Sequence, residues 1–177
     1  MKPVKCFGAI LAFFVLIVMT SCQDKQASEE FAKFKHAESL KASNIELAKQ
    51  FYKYLDAGNL DSLRTMCTSD AKIFYESGSP ISFADMEPLI KIFYTSFPNY
   101  KHDIQDLIAA DDKVIARLSY SGTFAKKFMD IKPNAAKFSY KGIHIFQFAN
   151  NKMSNLWGVE DELGMMTQLG MELKPKK

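Results

Sequence analysis

From Phe138 to Phe148 the chain alternates strictly. Phe138, Tyr140, Gly142, His144, Phe146 and Phe148 fall on one side, and Ser139, Lys141, Ile143, Ile145 and Gln147 on the other. This is the period-two pattern of a strand with two unlike faces. Ala149-Asn150-Asn151-Lys152 reads as a turn, because asparagine takes up positive φ at little cost. Carried through without interruption, the alternation puts Met153, Asn155, Trp157, Val159 and Asp161 on one side of a second strand, Met153 to Glu160. Glu162 to Gly170 then reads as a short helix. With both aromatic faces turned inward, His144, Asn155, Trp157 and Asp161 share one apolar concavity.

Ahead of this hairpin, Ile45, Ala48, Phe51, Tyr52 and Leu55 recur at helical spacing. Ser43 and Glu46 fit a capping box at the start of that helix, and Gly58 supplies a left-handed residue at its end. Asn59 is placed to cap a second, short helix with Leu60, Leu63 and Met66 inward. Thr68-Ser69-Asp70 reads as a turn and Ala71 to Ser77 as a strand. A third helix is expected to start near Asp85, which keeps Pro88 within its first turn. Its stripe is Met86, Leu89, Ile90, Phe93 and Phe97, and Pro98 stops it. His102 to Ala109 and Val114 to Phe124 read as a hairpin with Val114, Ala116, Leu118 and Tyr120 on one face. Ala125 to Lys137 is an irregular crossover. Helices first and consecutive strands later predict an α+β domain, its helices covering one face of a largely antiparallel sheet.

The front of the chain follows a different pattern. Lys2 and Lys5 precede a run from Phe7 to Met19 without charge or proline, and Thr20-Ser21-Cys22 follows. Basic, then apolar, then small is the layout of a secretory signal. The run is shorter than the roughly 20 residues of a membrane span. Met19-Thr20-Ser21-Cys22 resembles a bacterial lipobox, which implies cleavage before Cys22 and its acylation. An uncleaved anchor helix from Cys6 to Cys22 is the alternative. Residues 1–21 are thus read as a lipoprotein signal peptide, 22–42 as a charged tether and 43–177 as the domain. The protein is expected on the cell envelope, at the outer or inner membrane, facing the periplasm or the surface. The formal net charge of +3 falls closer to neutral once Lys2 and Lys5 are removed, so no nucleic-acid partner is expected. Cys67 is then unpaired, which excludes a disulfide framework and suggests a buried structural thiol. His36, His102 and His144 stand apart, with no cysteine cluster, so no metal is expected.

Several short pieces recur in a telling order: Phe51-Tyr52, Ala57-Gly58-Asn59-Leu60-Asp61, Ser69-Asp70, Ser96-Phe97-Pro98-Asn99, Val114 with Arg117, Ser121-Gly122-Thr123, Trp157 with Asp161, and Gln168-Leu169-Gly170. Together, over about residues 43–171, they resemble the SnoaL-like polyketide cyclases of the nuclear-transport-factor-2-like superfamily. The resemblance implies a cone-shaped α+β fold, N-terminal helices packed on a curved sheet with a short C-terminal helix. It also implies intramolecular aldol ring closure, or a related isomerisation, without metal or organic cofactor, with Asp161 as the acid/base group. Homodimerisation through the sheet face is a further implication. The physical chemistry is consistent with this: an apolar pocket disfavours a carboxylate and raises its pKa toward the range useful for proton transfer. His144 is the second catalytic candidate, and as a lone histidine on an aromatic face it also fits a satisfied core residue. Trp157, Asn155, Tyr140, Tyr75, Phe51 and Phe93 are candidate contacts for a small hydrophobic ligand. Asp161 is equally placed to cap the terminal helix. The chain departs from the family pattern at Phe124, at Pro133-Asn134-Ala135-Ala136 and at Asn155, where relatives tend to carry Gly-Thr-His, Pro-Thr-Gly and Glu. Two functional readings therefore stand: a cofactor-independent cyclase or isomerase, and a non-catalytic ligand-binding or protein-interaction module.

Overall fold

Helical hydrogen bonding runs from Lys5 to Asp56 (α1). The computed structural model describes residues 5–75, 78–172 and 174, with side chains from residue 25 onward. Cys22 and residues 1–21, expected as a signal peptide, therefore lie outside the described side chains. Glu76 and Ser77, expected at the end of a strand, lie outside the described residues. The chain divides into two units, Met1–Ser39 and Leu40–Lys177. In the first, the side chains described are exposed. No helix starts at Ser43, contrary to the capping-box reading. The preceding residues are rich in Ala, Lys and Glu, which favour helix strongly enough to carry it through. Gly58 does end α1: it sits at φ 65°, its N–H bonds Leu55 O at 2.9 Å, and Asn59 N–H bonds Tyr54 O at 2.9 Å. This paired closure satisfies two of the carbonyls that a helix end leaves open.

In the second unit, α2 (Leu60–Met66) starts at Asn59, whose side chain accepts from Ser62 N–H. β1 (Cys67–Phe74) follows at once. Thr68, Ser69 and Asp70 are strand rather than turn, and the register with the neighbouring strand shifts between Cys67 and Lys72 to accommodate them. Cys67 is buried as expected, its thiol on Leu63 O, and burial pushes its pKa up to about 12. β2 (Ile81–Ser82) leads into α3 (Phe83–Ser96), which starts at Ser82 and not near Asp85. A reciprocal capping box between Ser82 and Asp85, with Phe83 and Met86 buried, anchors that start. The cap and the two buried side chains outweigh the one backbone bond that Pro88 forgoes beyond the first turn. Leu89 points outward, while Ile90 and Phe97 are buried.

β3 (Lys101–Ala110), β4 (Lys113–Thr123), β5 (Lys137–Ala149), β6 (Lys152–Glu160) and α4 (Glu162–Gln168) complete the fold. The sheet order is β2-β1-β6-β5-β4-β3, antiparallel except where β1 runs parallel to β6. Among the described residues, this open, mixed six-stranded sheet with four helices is the cone-like α+β arrangement expected. Val114, Ala116, Leu118 and Tyr120 are all buried, as are Phe138, Tyr140, His144, Phe146 and Phe148. Asn150 and Asn151 both take positive φ in the β5–β6 turn.

The second strand of that hairpin departs from expectation. Phe148 pairs with Met153 but Gln147 pairs with Asn155, so Ser154 is an extra residue in β6. One extra residue reverses which side chains face the core. Met153 and Leu156 are buried, whereas Val159 is 60% exposed. Asn155 and Trp157 therefore lie on the outer face, and Gly158 and Glu160 lie on the inner one with His144.

Two inward glycines make room there. Gly142 pairs with Glu160, and a Cβ at Gly142 would stand 2.8 Å from Val159 O and 2.9 Å from the Tyr120 ring. Gly158 pairs with His144, and a Cβ at Gly158 would meet that ring at 3.2 Å. Because the Val159 carbonyl belongs to the strand itself, Gly142→Ala is expected to lower unfolding stability by about 1–3 kcal/mol, read from the midpoint of urea denaturation. Gly158→Ala, whose Cβ would meet the His144 ring at the wider 3.2 Å, is expected to cost less in the same measurement.

Candidate acid–base site

The inner face of β5 presents Tyr140 and His144 four residues apart, and β4 adds Tyr120 beside Tyr140. Glu160 comes from the end of β6 and Tyr52 from the buried stripe of α1. Glycines opposite His144 and Glu160 let the two side chains lean toward each other. His144 Nε2 lies 2.9 Å from Glu160 Oε1, and Tyr140 Oη donates to Glu160 Oε2 at 3.2 Å. Tyr100 Oη lies 2.5 Å from Tyr140 Oη, and since Tyr140 spends its proton on Glu160, Tyr100 is the donor to it. On the far side of the imidazole, Nδ1 lies 2.9 Å from Tyr52 Oη, while Tyr120 Oη is 3.2 Å from Nε2. The Tyr120 and Tyr140 rings stack at 4.6 Å.

The electrostatics fit this wiring. Burial raises the pKa of the Glu160 carboxyl, but the hydrogen bond and charge of His144, the charge of His102 and the Tyr140 hydroxyl outweigh it, and the net shift is downward. Glu160 is thus an anion and an acceptor, so His144 Nε2 carries the proton that points at it. The phenols go the other way. Burial first, then the negative charge of Glu160, raises Tyr52, Tyr120 and Tyr140, and Tyr100 is raised by burial and its phenolic and carboxylate neighbours. All four remain neutral donors. The arrangement holds an ionised carboxylate, an imidazole and several phenol donors in one buried patch. It can take a proton at Glu160 or His144 and donate hydrogen bonds to a developing oxyanion. The Glu160 side chain retains 20% exposure. Tyr75, 45% exposed, senses its charge: partial burial, Glu160 and Glu162 push that phenol up to about 12.

His144 and Tyr140 thus belong to the cluster, and Phe51 packs behind it against Tyr52 and Phe146. Phe93 sits nearby, edge-on to Tyr100. Asp161, Trp157 and Asn155 do not join it. Asp161 is an exposed N-cap, its Oδ1 accepting from Gly164 N–H at 2.8 Å. Trp157 stacks on Phe74 at 5.1 Å, and Asn155 donates to Gln147 Oε1 at 2.9 Å. The Ser154 bulge is the reason for all three. Sequence reasoning missed Glu160, Tyr100 and Tyr120. The signal for Glu160 was the set Met153, Leu156, Gly158 and Glu160, which forms one face only if a residue is skipped. Among the described residues, no group of three or more His, Cys, Asp or Glu side chains is placed to hold a metal ion.

The fold is the cone-like α+β arrangement of the nuclear-transport-factor-2-like type. The model of the SnoaL-like polyketide cyclase family matches residues 46–169, and the chain belongs to that family. Among solved structures, it is similar to AclR of Streptomyces galilaeus, with 21% identity, 73% of this chain and 97% of that one covered, and a TM-score of 0.69. It is likewise similar to TsrD of Streptomyces laurentii, at 22% identity, 73% and 96% coverage and a TM-score of 0.65. A SnoaL-like polyketide cyclase of Agrobacterium tumefaciens matches at 19% identity, 72% and 98% coverage and a TM-score of 0.60. At these identities the likeness is one of fold. No curated protein matches the chain.

Because the Glu160 pKa is lowered in the fold, its contribution to stability is full above the unfolded value of about 4.3. That contribution is lost as the pH falls through the lower folded value. Acid titration of thermal stability should therefore show wild type losing stability below about pH 4.3 more steeply than Glu160→Gln. At pH 7 the same substitution, which removes an ionic partner of His144, is expected to cost about 1–3 kcal/mol.

Proposed function

We propose that the domain binds a small hydrophobic molecule and acts on it as a cofactor-independent cyclase or isomerase, with acid/base chemistry at the His144–Glu160 pair. One observation carries the reading: a buried imidazole and an ionised carboxylate 2.9 Å apart, on an inner face lined by phenols. Membership of a family named for polyketide cyclases supports a substrate with an enolisable carbonyl. In such a reaction Glu160 or His144 removes the proton next to the carbonyl, and phenol hydroxyls hold the oxygen as it gains charge. Asp161, exposed at the head of α4, is assigned a capping role instead.

The test is turnover of a panel of enolisable carbonyl compounds by wild type, Glu160→Gln and Asp161→Asn. Glu160→Gln is expected to lose about 10²- to 10⁴-fold in rate, and Asp161→Asn to keep most of it. Equal turnover by wild type and Glu160→Gln would remove the pair from the mechanism.

A second reading, a protein-interaction module, is favoured by the outer face of the sheet. Phe74, Trp157, Ile145, Ile115 and Ile108 stand in register across five strands, and Ile143 and Val159 lie beside them, about half exposed or more. Such a row is self-complementary under a two-fold axis, which makes a second copy of the chain its natural occupant.

The chain is also proposed to be held on a cell-envelope membrane through acylated Cys22, on the strength of the basic start, apolar run and Met19-Thr20-Ser21-Cys22. Cys22→Ala is expected to abolish incorporation of labelled fatty acid and to move the protein from the membrane to the soluble fraction. Persistence of the label in Cys22→Ala would reject acylation at this residue.

A further inference from the structure

A second histidine–carboxylate pair lies in the same core, and the chemistry just described makes no use of it. Asp56 is the last residue of α1, one turn beyond Tyr52, and His102 is the second residue of β3. Asp56 Oδ1 lies 2.6 Å from His102 Nδ1, and Oδ2 accepts the His102 backbone N–H at 3.2 Å. Tyr94 of α3 donates to Oδ1 at 3.1 Å. Both carboxylate oxygens are therefore engaged by His102, whose side chain is only 5% exposed.

Three tyrosine rings enclose that imidazole. Tyr52 lies against it at 5.2 Å, with Tyr120 and Tyr100 edge-on at 5.2 and 5.1 Å. The three hydroxyls all reach the other pair or its donor: Tyr52 lies at His144 Nδ1, Tyr120 sits beside His144 Nε2 and hydrogen-bonds Glu160, and Tyr100 donates to Tyr140, which donates to Glu160. His102 thus braces three rings whose polar ends all serve His144 and Glu160. An ion pair that merely tied α1 to β3 would not need this placement, since such pairs are replaceable by apolar packing.

Resting on the reading of His144–Glu160 as the acid/base pair, we propose that Asp56 and His102 are its positioning residues. Asp56 fixes the His102 ring, and His102 holds the Tyr52, Tyr100 and Tyr120 hydroxyls on their partners. Its protonated form also sets a positive charge behind the Glu160 carboxylate. Glu160 faces Tyr52 from α1, Tyr100 just ahead of β3, His102 from β3, Tyr120 from β4 and both Tyr140 and His144 from β5, with Tyr75, which also senses Glu162, at its margin. Of these, only the two histidines can be cationic, and the charge of His102 is among the influences that favour the Glu160 anion.

The test is the pH titration of the Glu160 carboxyl carbon and the histidine ring nitrogens by NMR on the full-length chain. His102→Gln is expected to raise the Glu160 midpoint by about one pH unit and to weaken the nitrogen signature of the His144–Tyr52 bond. Asp56→Asn is the decisive companion. Loss of the Asp56 charge acting through space would lower the Glu160 midpoint; release of His102 from its partner raises it. An unmoved or lowered midpoint in either folded variant overturns the proposal, as does a Tyr94→Phe variant that shifts Glu160 as far as His102→Gln does. Wild type alone decides if the variants do not fold. Its His102 Nδ1–H should show the slow solvent exchange of a proton held on Asp56 within the ring cage, and fast exchange there overturns the proposal. The readout needs no substrate, so a failed turnover screen would sink the enzyme reading and leave this one standing. Turnover that depends on Glu160, with an unmoved midpoint, would do the reverse.

Discussion

A carboxylate placed among aromatic rings must have its lone pairs met, and the inner face of this domain is arranged around that demand. Water is largely removed from Glu160, and nothing apolar can replace what water supplied. The imidazole of His144 and the hydroxyl of Tyr140 do so instead. Each of these has its own second partner, Tyr52 and Tyr100 respectively. The network is closed by donors and acceptors in a consistent order, which is the condition under which buried polar groups specify a structure.

Geometry makes the order attainable. Tyr52 and Asp56 lie one helical turn apart on α1, so one stretch of helix serves both histidines. Tyr140 and His144 share a strand face with Gly142 between them. Where a long polar side chain crosses the sheet, its pairing partner is glycine: Gly142 against Glu160, Gly158 against His144. The same small residues that weaken a strand by leaving side-chain space empty here admit the groups that carry charge.

The fold was largely legible. Alternation in β4 and β5, the Asn150-Asn151 turn, the Gly58 stop and the Asn59 cap all depend on residues within a few positions of one another, and local physics decided them. The start of α3 was misread because the proline rule was given more weight than the Ser82–Asp85 box. Part of the inner-face cluster was legible too, since the inward placing of His144 and Tyr140 follows from the β5 pattern alone. The rest was not, for one reason. Ser154 bonds back to Gln147 O and occupies an unpaired position, and nothing in its identity announces that. Strict alternation therefore places every residue after it in β6 on the opposite face, turning Trp157 and Asp161 inward and Glu160 outward. Asp56 and His102 meet only through the tertiary fold, 46 positions apart, beyond the reach of any spacing rule.

The bulge bears on how relatives should be compared. In a homologue whose last strand lacks the extra residue, the inward carboxylate stands one position nearer the β5–β6 turn. An ungapped alignment then sets that homologue's inward residue opposite Val159, and the acidic pair Glu160-Asp161 invites a gap at the wrong place. Superposition on the His144 ring, and not on the sequence of β6, gives the correspondence of inward-facing positions.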